Sequence, residues 1–106
     1  MRSFRLSYRA EFSLDAIAAF SRETFGNIRG QAYVATLLER CRKIALGQLQ
    51  TRPCRSQFGD DLRDDLRFVR SGSHNVIFVE TPSGVTIIDF IHQSADIGGR
   101  LGGPEE

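Results

Sequence analysis

The clearest pattern in the sequence is an amphipathic helix, which we predict from about Ile28 to Leu49. Its apolar side chains recur at spacings of three, four and seven residues: Val34, Leu37, Leu38, Cys41, Ile44 and Ala45. The other side of this helix carries the charged residues Glu39, Arg40, Arg42 and Lys43. Because a helix with one apolar stripe is stable only when that stripe is covered, the rest of the chain must provide a second layer.

A second helix is predicted directly before it, from about Glu11 to Phe25. Ser13, together with Asp15 and Ala16, could cap its N-terminus, where acidic side chains suit the helix dipole. Its apolar residues cover more than one stripe: Leu14, Ile17, Ala18, Phe20 and Phe25. A helix of this kind either lies deep in the protein or binds a partner. The short link Gly26-Asn27 predicts that the two helices form an antiparallel hairpin.

Four segments have the pattern of β-strands: Ser3–Arg9, Leu66–Ser71, His74–Thr81 and Val85–His92. In the first, the alternation predicts that Phe4, Leu6 and Tyr8 face a core. The last is apolar on both faces, so we expect it to be central in a sheet. Short turns at residues 71–73 and 81–84 join the last three strands, which predicts an antiparallel meander.

The predicted order is β-α-α-β-β-β, an α+β fold whose antiparallel helix hairpin packs on one face of a four-stranded, largely antiparallel sheet. The long connection at 51–65 is expected to be functional or mobile, and Ser94-Ala95-Asp96 could open one short C-terminal turn. We expect a single domain of residues 1–101, because about 100 residues is a usual domain size. The glycine- and proline-containing residues 102–106 are expected to form a flexible tail.

The charges are distributed unevenly along the chain. Residues 1–59 hold ten basic and four acidic residues, a net +6, whereas residues 60–106 hold four basic and nine acidic residues, a net −5. Of the 14 basic residues 13 are arginine, which favours bidentate contacts with carboxylates and phosphates, although a G+C-rich genome would give the same composition. No apolar run reaches the roughly 18 residues of a membrane span, and no apolar segment follows the basic N-terminus, so we expect a cytoplasmic protein.

No pattern typical of a metal or cofactor site occurs in the sequence. With two histidines, two cysteines and neither a CxxC nor an HExxH motif, we expect no metal and no cofactor. Cys41 lies on the apolar helix face and is expected in the core. Cys54 lies beside two arginines, so it is either a reactive thiol or an ordinary loop thiol. Asp89, which has apolar neighbours, is either paired with an arginine or a functional carboxylate.

A basic patch is predicted at the edge of the sheet. Strand pairing could bring Arg67 and Arg70 of the first meander strand close to His92 at the end of the last. Such a patch could hold phosphate through charge-assisted hydrogen bonds. It could equally neutralise the acidic cluster of the preceding connection: Asp60, Asp61, Asp64 and Asp65.

Residues 3–101 resemble the ParE/RelE superfamily of bacterial type II toxin–antitoxin toxins. The opening segment Phe4–Glu11 is similar to the first strand and helix start of ParE-like toxins, and Phe25-Gly26 to the aromatic–glycine end of their helix. The segment Leu66–Phe78 and the closing segment Ile88–Asp96 are similar to the strands of the same family. No single motif is specific, but their order and spacing together are.

The resemblance implies a function that depends on the branch of the superfamily. RelE-like members are ribosome-dependent mRNA endoribonucleases, whereas known ParE-like members poison DNA gyrase by binding it. The chain has no tyrosine after Tyr33, no lysine after Lys43, and Val79 where relatives usually carry a tyrosine. These departures favour a ParE-like gyrase-binding toxin that is not an enzyme. The endoribonuclease is the alternative, and a degenerate toxin kept for complex formation is a third interpretation.

The resemblance also implies two binding surfaces. Candidate target-binding residues are Arg67, Arg70, His92, Gln93, Asp96 and Arg100, of which the first three would be catalytic in a nuclease. A cognate antitoxin is expected to fold on binding, lay a helix against the helix hairpin and form a toxin–antitoxin hetero-oligomer. Candidate antitoxin-binding residues are Leu14, Ile17, Phe20, Arg22 and Arg40. The alternative is that the apolar members of this set belong to the core.

Overall fold

The computed structural model describes residues 2–102. In chain order, its elements are β1 (Ser3–Leu6), α1 (Tyr8–Phe25), α2 (Asn27–Ala45), β2 (Arg52–Pro53), α3 (Arg55–Phe58), β3 (Arg67–Ser71), β4 (His74–Thr81), β5 (Gly84–His92) and α4 (Ile97–Leu101). None of these helices is long and apolar enough to cross a membrane. Residues 103–106 of the predicted tail lie outside the described part, so the tail and the 1–101 domain boundary stay predictions.

The strands form one mixed sheet in the order β1-β5-β4-β3-β2. β1 runs parallel to β5, with Leu6 opposite Ile87, and every other neighbouring pair is antiparallel. The α+β fold and the meander of β3, β4 and β5 are therefore confirmed. The number of strands is corrected from four to five, because β2 pairs with Arg67 and Phe68 at the far edge. Its proline is tolerated because an edge strand leaves some N–H positions unpaired.

The helix hairpin covers one face of the sheet and encloses the larger core, which we call the helix-side core. Its buried members are Ala10, Ile17, Leu37, Cys41, Ile44, Ala45, Val69, Val76, Phe78, Val85, Ile87 and Phe90. Gly26 ends α1 with a φ of 89°, which lets the chain reverse into α2. A Cβ atom at Gly30 would lie 2.9 Å from the backbone nitrogen of Arg22, so the two helices approach closely near their link. The predicted core position of Cys41 is confirmed.

The connection at 51–65 covers the other face of the sheet. It joins a second cluster, which we call the opposite core: Cys54, Leu62, Leu66, Phe68, Ile77, Ile91 and Ile97. Neighbours along each strand alternate between the two cores, as Phe68 and Val69 show, because successive side chains of a strand point to opposite faces. The connection, which contains α3, is therefore a covering layer together with α4.

The boundary between β1 and α1 differs from the prediction. β1 ends at Leu6 and α1 begins at Tyr8, because Ser7 caps the helix through its hydroxyl, which accepts a hydrogen bond of 3.0 Å from the Ala10 N–H. The predicted cap at Ser13 is therefore wrong. Tyr8, which strand alternation placed in the core, is 91% exposed. α2 also ends earlier than predicted, at Ala45.

Candidate functional site

Exposed apolar side chains are concentrated on the helix hairpin. Among the described residues, the large apolar side chains that are exposed all fall between positions 8 and 28, with exposed fractions of 55% to 91%: Tyr8, Phe12, Phe20, Phe25 and Ile28. We call this set the α1 surface. Tyr8, Phe12 and Phe20 are spaced by multiples of four residues, which brings them near one face of α1. Large exposed apolar side chains concentrated in one part of a protein are typical of an interaction site.

The α1 surface continues into a cavity of about 700 Å³, which we call the apolar cavity. Its wall includes the side chains of Ile17, Phe20, Phe25, Arg29, Tyr33 and His92. Ile17 is only 8% exposed and also belongs to the helix-side core, whereas Phe20 stands at the rim and is 63% exposed. Such a cavity can accept an apolar side chain of a partner.

Three aromatic side chains form the polar floor of the apolar cavity. The Tyr33 hydroxyl accepts a hydrogen bond of 3.1 Å from the Ser73 N–H and lies 2.7 Å from His74 Nδ1. The rings of His74 and His92 meet edge to face, with centroids 5.2 Å apart. Burial, and to a smaller extent the neighbouring His92, lowers the pKa of His74. A neutral His74 can accept a hydrogen bond from the Tyr33 hydroxyl at Nδ1. The polar groups of Tyr33 and His74 that face each other are therefore paired within the cavity floor.

The candidate antitoxin-binding residues separate into two groups. Leu14 packs partly buried against the helix-side core, next to the buried Ile17, while Phe20 belongs to the α1 surface. Arg22 is exposed on α1 near Gly30 of α2. Arg40 lies elsewhere, in a cleft at the edge of the sheet. Of the five residues, therefore, only Ile17 and Phe20 line the apolar cavity.

The predicted basic patch is not assembled. Arg67 bonds to Thr51 with its Nε 2.8 Å from Thr51 Oγ1, and it pairs with β4 at the opposite end from His92. Arg70 donates a hydrogen bond to Gln93, on the face of the opposite core. His92 points to the other face, where its ring meets His74. Sheet alternation and register keep Arg67, Arg70 and His92 apart, and their role in target binding stays a prediction.

The C-terminal candidates sit on a short, well-anchored helix. The Asp96 carboxylate caps α4 by accepting a hydrogen bond of 3.1 Å from the Gly99 N–H. Ile97 is 4% exposed and belongs to the opposite core. Arg100 reaches the fully buried Asp89, with 3.5 Å between Arg100 Nη2 and Asp89 Oδ2. The prediction that Ser94-Ala95-Asp96 opens one short C-terminal turn is confirmed, with Asp96 as the cap. The interpretation that Asp89 is paired with an arginine is also confirmed.

Both cysteines are buried, and one residue of the acidic cluster, Asp65, forms an ion pair. Burial raises the pKa of the Cys54 thiol to about 11 and that of the Cys41 thiol to about 12. Cys54 is fully buried, so the interpretation of a reactive loop thiol is wrong. Asp65 is paired with Arg63, whose hydrogen bonds hold its pKa below the usual value. Within residues 2–102 no group of three histidine, cysteine or acidic side chains could hold a metal ion.

A second concave site was missed by sequence reasoning. It is a cleft of about 730 Å³ to which α2, β2 and β3 contribute Arg40, Arg52 and Arg70, and we call it the arginine cleft. These residues are far apart in the sequence, and no local pattern joins them. The α1 surface was found only in part, since Phe20 was identified but Tyr8 and Phe12 were not. The spacing of Tyr8, Phe12 and Phe20 by four and then eight residues was the available signal.

Comparisons with known proteins agree with this geometry. The family model described as the ParE toxin of a type II toxin–antitoxin system, parDE, matches residues 4–97. Toxin ParE1 of Caulobacter vibrioides is 33% identical over 102 residues, which are 96% of this chain and 100% of that protein. A solved structure of the chromosomal ParDE toxin–antitoxin system from P. aeruginosa superposes with a TM-score of 0.68. That match covers 87% of this chain and 96% of the other at 17% identity, so it shows a shared fold.

Proposed function

Because the chain belongs to the ParE toxin family of type II toxin–antitoxin systems, we propose that it inhibits DNA gyrase by direct binding and that a cognate antitoxin neutralises it. The match of the family model to residues 4–97 carries this proposal. Both partners are cytoplasmic in this proposal, and the toxin and antitoxin form a hetero-oligomer. The gyrase interaction is binding rather than catalysis.

The antitoxin binds the α1 surface in this proposal. A partner helix laid along α1 would cover Tyr8, Phe12 and Phe20, which water contacts in the free chain. An apolar side chain from that helix would enter the apolar cavity, whose rim carries Arg29. Arg29, together with the exposed Arg22, would attract an acidic segment of the antitoxin and speed association. Arg40 is too far from this surface to share in that contact and is left out of it.

The gyrase-binding surface is the C-terminal end of the sheet with α4. It contains Arg70 and Gln93, which bond to each other, and Asp96 and Arg100 on the short helix. His92 precedes Gln93 at the end of β5, and its ring points to the other face of the sheet. Anchoring of α4 through its cap and through Asp89 gives this surface a fixed shape, which lowers the ordering cost of binding. Arg67 is at the other end of β3, so its inclusion rests on resemblance alone.

An mRNA endoribonuclease is disfavoured by the surroundings of His92. General acid–base catalysis on a ribose hydroxyl needs a titratable group beside cationic groups that stabilise the transition state. His92 Nδ1 lies 2.8 Å from Ser94 Oγ, its ring packs against His74, and Arg67 lies at the far end of the strands. The three candidate catalytic residues therefore do not converge on one reacting atom.

Purified enzyme assays test the target. The protein should inhibit supercoiling of relaxed plasmid by DNA gyrase, and the antitoxin encoded beside it should restore supercoiling. Translation in a cell extract, with full-length mRNA as the second readout, should be unaffected at the same concentration. Arrest of translation with cleaved mRNA and normal supercoiling would instead identify the endoribonuclease and refute the gyrase proposal.

A matched pair of variants tests the antitoxin surface. Phe20→Asp changes a side chain that is 63% exposed, so the fold should survive while antitoxin affinity falls at least about tenfold. Thr36→Asp, on the exposed side of α2, adds the same charge outside the α1 surface and should bind as the parent does. Ile17 is unsuitable for this test because it belongs to the core. A folded Phe20→Asp protein with parental affinity for the antitoxin would exclude this docking surface.

A further inference from the structure

The arginine cleft carries positive charge that the protein itself does not compensate. No carboxylate of the described residues lines the cleft or forms an ion pair with Arg40, Arg52 or Arg70. Other arginines of the chain do pair with acidic residues: Arg2, Arg9, Arg42, Arg63 and Arg100. Three like charges around one concave site create a local positive potential, so the cleft favours an anionic ligand.

Neutral groups contact two of the three cleft arginines, Arg52 and Arg70. Arg70 donates a hydrogen bond to the side-chain oxygen of Gln93. The Arg52 guanidinium lies over the Phe68 ring, 5.9 Å from its centroid. These contacts fix the direction of each guanidinium and leave its charge intact, and each group keeps further N–H donors for a ligand. A planar guanidinium held in this way suits bidentate contacts with phosphate.

The remaining lining of the cleft distinguishes between anions. Phe58 packs against Phe68, with ring centroids 4.7 Å apart, and both rings line the cleft beneath Arg52. Side-chain amides surround them, Gln50, Gln57, Asn75 and Gln93, which offer donors and acceptors together. The carboxylates of an acidic peptide need only donors, whereas nucleobases present donors, acceptors and a flat apolar face. The combination of arginines, aromatic rings and amides is that of single-strand binding grooves.

We propose that the arginine cleft binds a short segment of single-stranded nucleic acid. Arg52 and Arg70 contact phosphates, and a base lies against the exposed edge of Phe58. A duplex is excluded from this mode because its bases are stacked inside the helix and cannot reach the aromatic rings. The volume of about 730 Å³ is within the range of about 300–1,000 Å³ in which pockets enclose small ligands, so only a few nucleotides enter it.

Fluorescence anisotropy with a fluorescein-labelled dT12 oligonucleotide tests the proposal on the full chain. Arg52→Gln/Arg70→Gln should weaken binding at least about tenfold and reduce the slope of log K against log salt by about 1.4, since each phosphate contact contributes about 0.7. The control Arg5→Gln/Arg42→Gln makes the same charge change at exposed positions outside the cleft and should stay within about twofold. Phe58→Leu, which preserves apolar packing, should weaken dT12 binding about fivefold.

Other outcomes would overturn the proposal. Equal losses in the two double variants would mean that binding follows net charge alone. A labelled duplex of the same length that binds more tightly than dT12 would exclude a single-strand site. A labelled oligoglutamate peptide could bind more tightly than dT12 and lose that binding in Arg52→Gln/Arg70→Gln. This result would identify a peptide site instead. No measurement in this set involves gyrase or the antitoxin, so failure here leaves the proposed function untouched.

Discussion

The contact between Arg100 and Asp89 should contribute to stability far more than an ordinary surface ion pair. Asp89 is fully buried, and its Oδ1 accepts hydrogen bonds from the Ser13 hydroxyl at 2.6 Å and from the Phe90 N–H at 2.8 Å. Its Oδ2 accepts no hydrogen bond from the described residues. The only cations near Oδ2 in that part of the chain are Arg100 Nη2 at 3.5 Å and Arg9 Nε at 4.0 Å. Arg100 therefore balances a charge that water does not reach.

Removal of Arg100 leaves that buried charge undercompensated. Breaking a buried ion pair from one side costs about 3–5 kcal/mol. Here the arginine side chain is 49% exposed and Arg9 stays in place, so we expect about 2 kcal/mol for Arg100→Gln. Asp89→Asn removes the charge itself and keeps the acceptor for Ser13, so it should cost about 1 kcal/mol. The double variant should cost no more than Asp89→Asn alone, because the charge that needs Arg100 is gone.

Urea unfolding followed by circular dichroism measures these free energies. For a domain of this size, about 2 kcal/mol corresponds to a loss of about 8–16 °C in Tm. Arg5→Gln, at an exposed arginine of β1, is the control and should stay within about 0.5 kcal/mol of the parent. If Arg100→Gln also stays within that limit, or if the effects of Arg100→Gln and Asp89→Asn simply add, the buried-charge argument is wrong.

Three further predictions concern the backbone, a histidine and a thiol. Gly84→Ala should cost at least about 1–3 kcal/mol, since φ is 153° and the new Cβ would lie 1.7 Å from the Ser3 carbonyl oxygen; an unchanged urea midpoint would contradict this. Because burial and His92 lower the pKa of His74, the unfolded chain binds its proton more readily. The free energy of unfolding should therefore fall as the pH drops below 6.5, the ordinary pKa of histidine. Urea titrations at several pH values should show a weaker pH dependence of this free energy in His74→Gln than in the parent. The same pH dependence in both proteins would refute the argument. With the pKa of Cys54 raised to about 11 by burial, a thiol reagent at about neutral pH should modify Cys54 far more slowly in the native than in the unfolded protein; similar rates would contradict the burial argument.

The sequence predicts the meander well because its signals are local. The β-forming residues Val76, Ile77, Phe78 and Val79 and two short turns determine strand pairing, and the predicted bounds of β4 match the structure. The start of α1 was missed because its signal is not local. Strand alternation continues through Tyr8, and the competing helix cap at Ser7 depends on one hydroxyl that also donates to the Ile88 carbonyl oxygen on β5. A cap fixed by a distant strand leaves no local signal.

The connection at 51–65 could not be interpreted from periodicity. Its strand is two residues long, and its helix α3 has four residues, too short for either repeat to appear. Cys54 and Leu62 nevertheless bury fully or nearly so, because the second face of the sheet needs cover. The arginine cleft depends on this connection, since β2 brings Arg52 beside Arg70 of the neighbouring strand. Sites assembled by such long-range pairing cannot be found from residue spacing.

His92 and Gln93 are neighbours in the chain, yet they belong to different sites. His92 lines the apolar cavity and packs against His74, whereas Gln93 lines the arginine cleft and bonds to Arg70. One peptide unit therefore joins the apolar cavity, which we assign to the antitoxin, with the arginine cleft, whose Arg70 and Gln93 also belong to the surface that we assign to gyrase. An antitoxin side chain in the apolar cavity would touch His92 directly, and a shift of that residue would move Gln93 through the backbone. Neutralisation on this geometry needs only a local shift at the end of β5, without a rearrangement elsewhere in the fold.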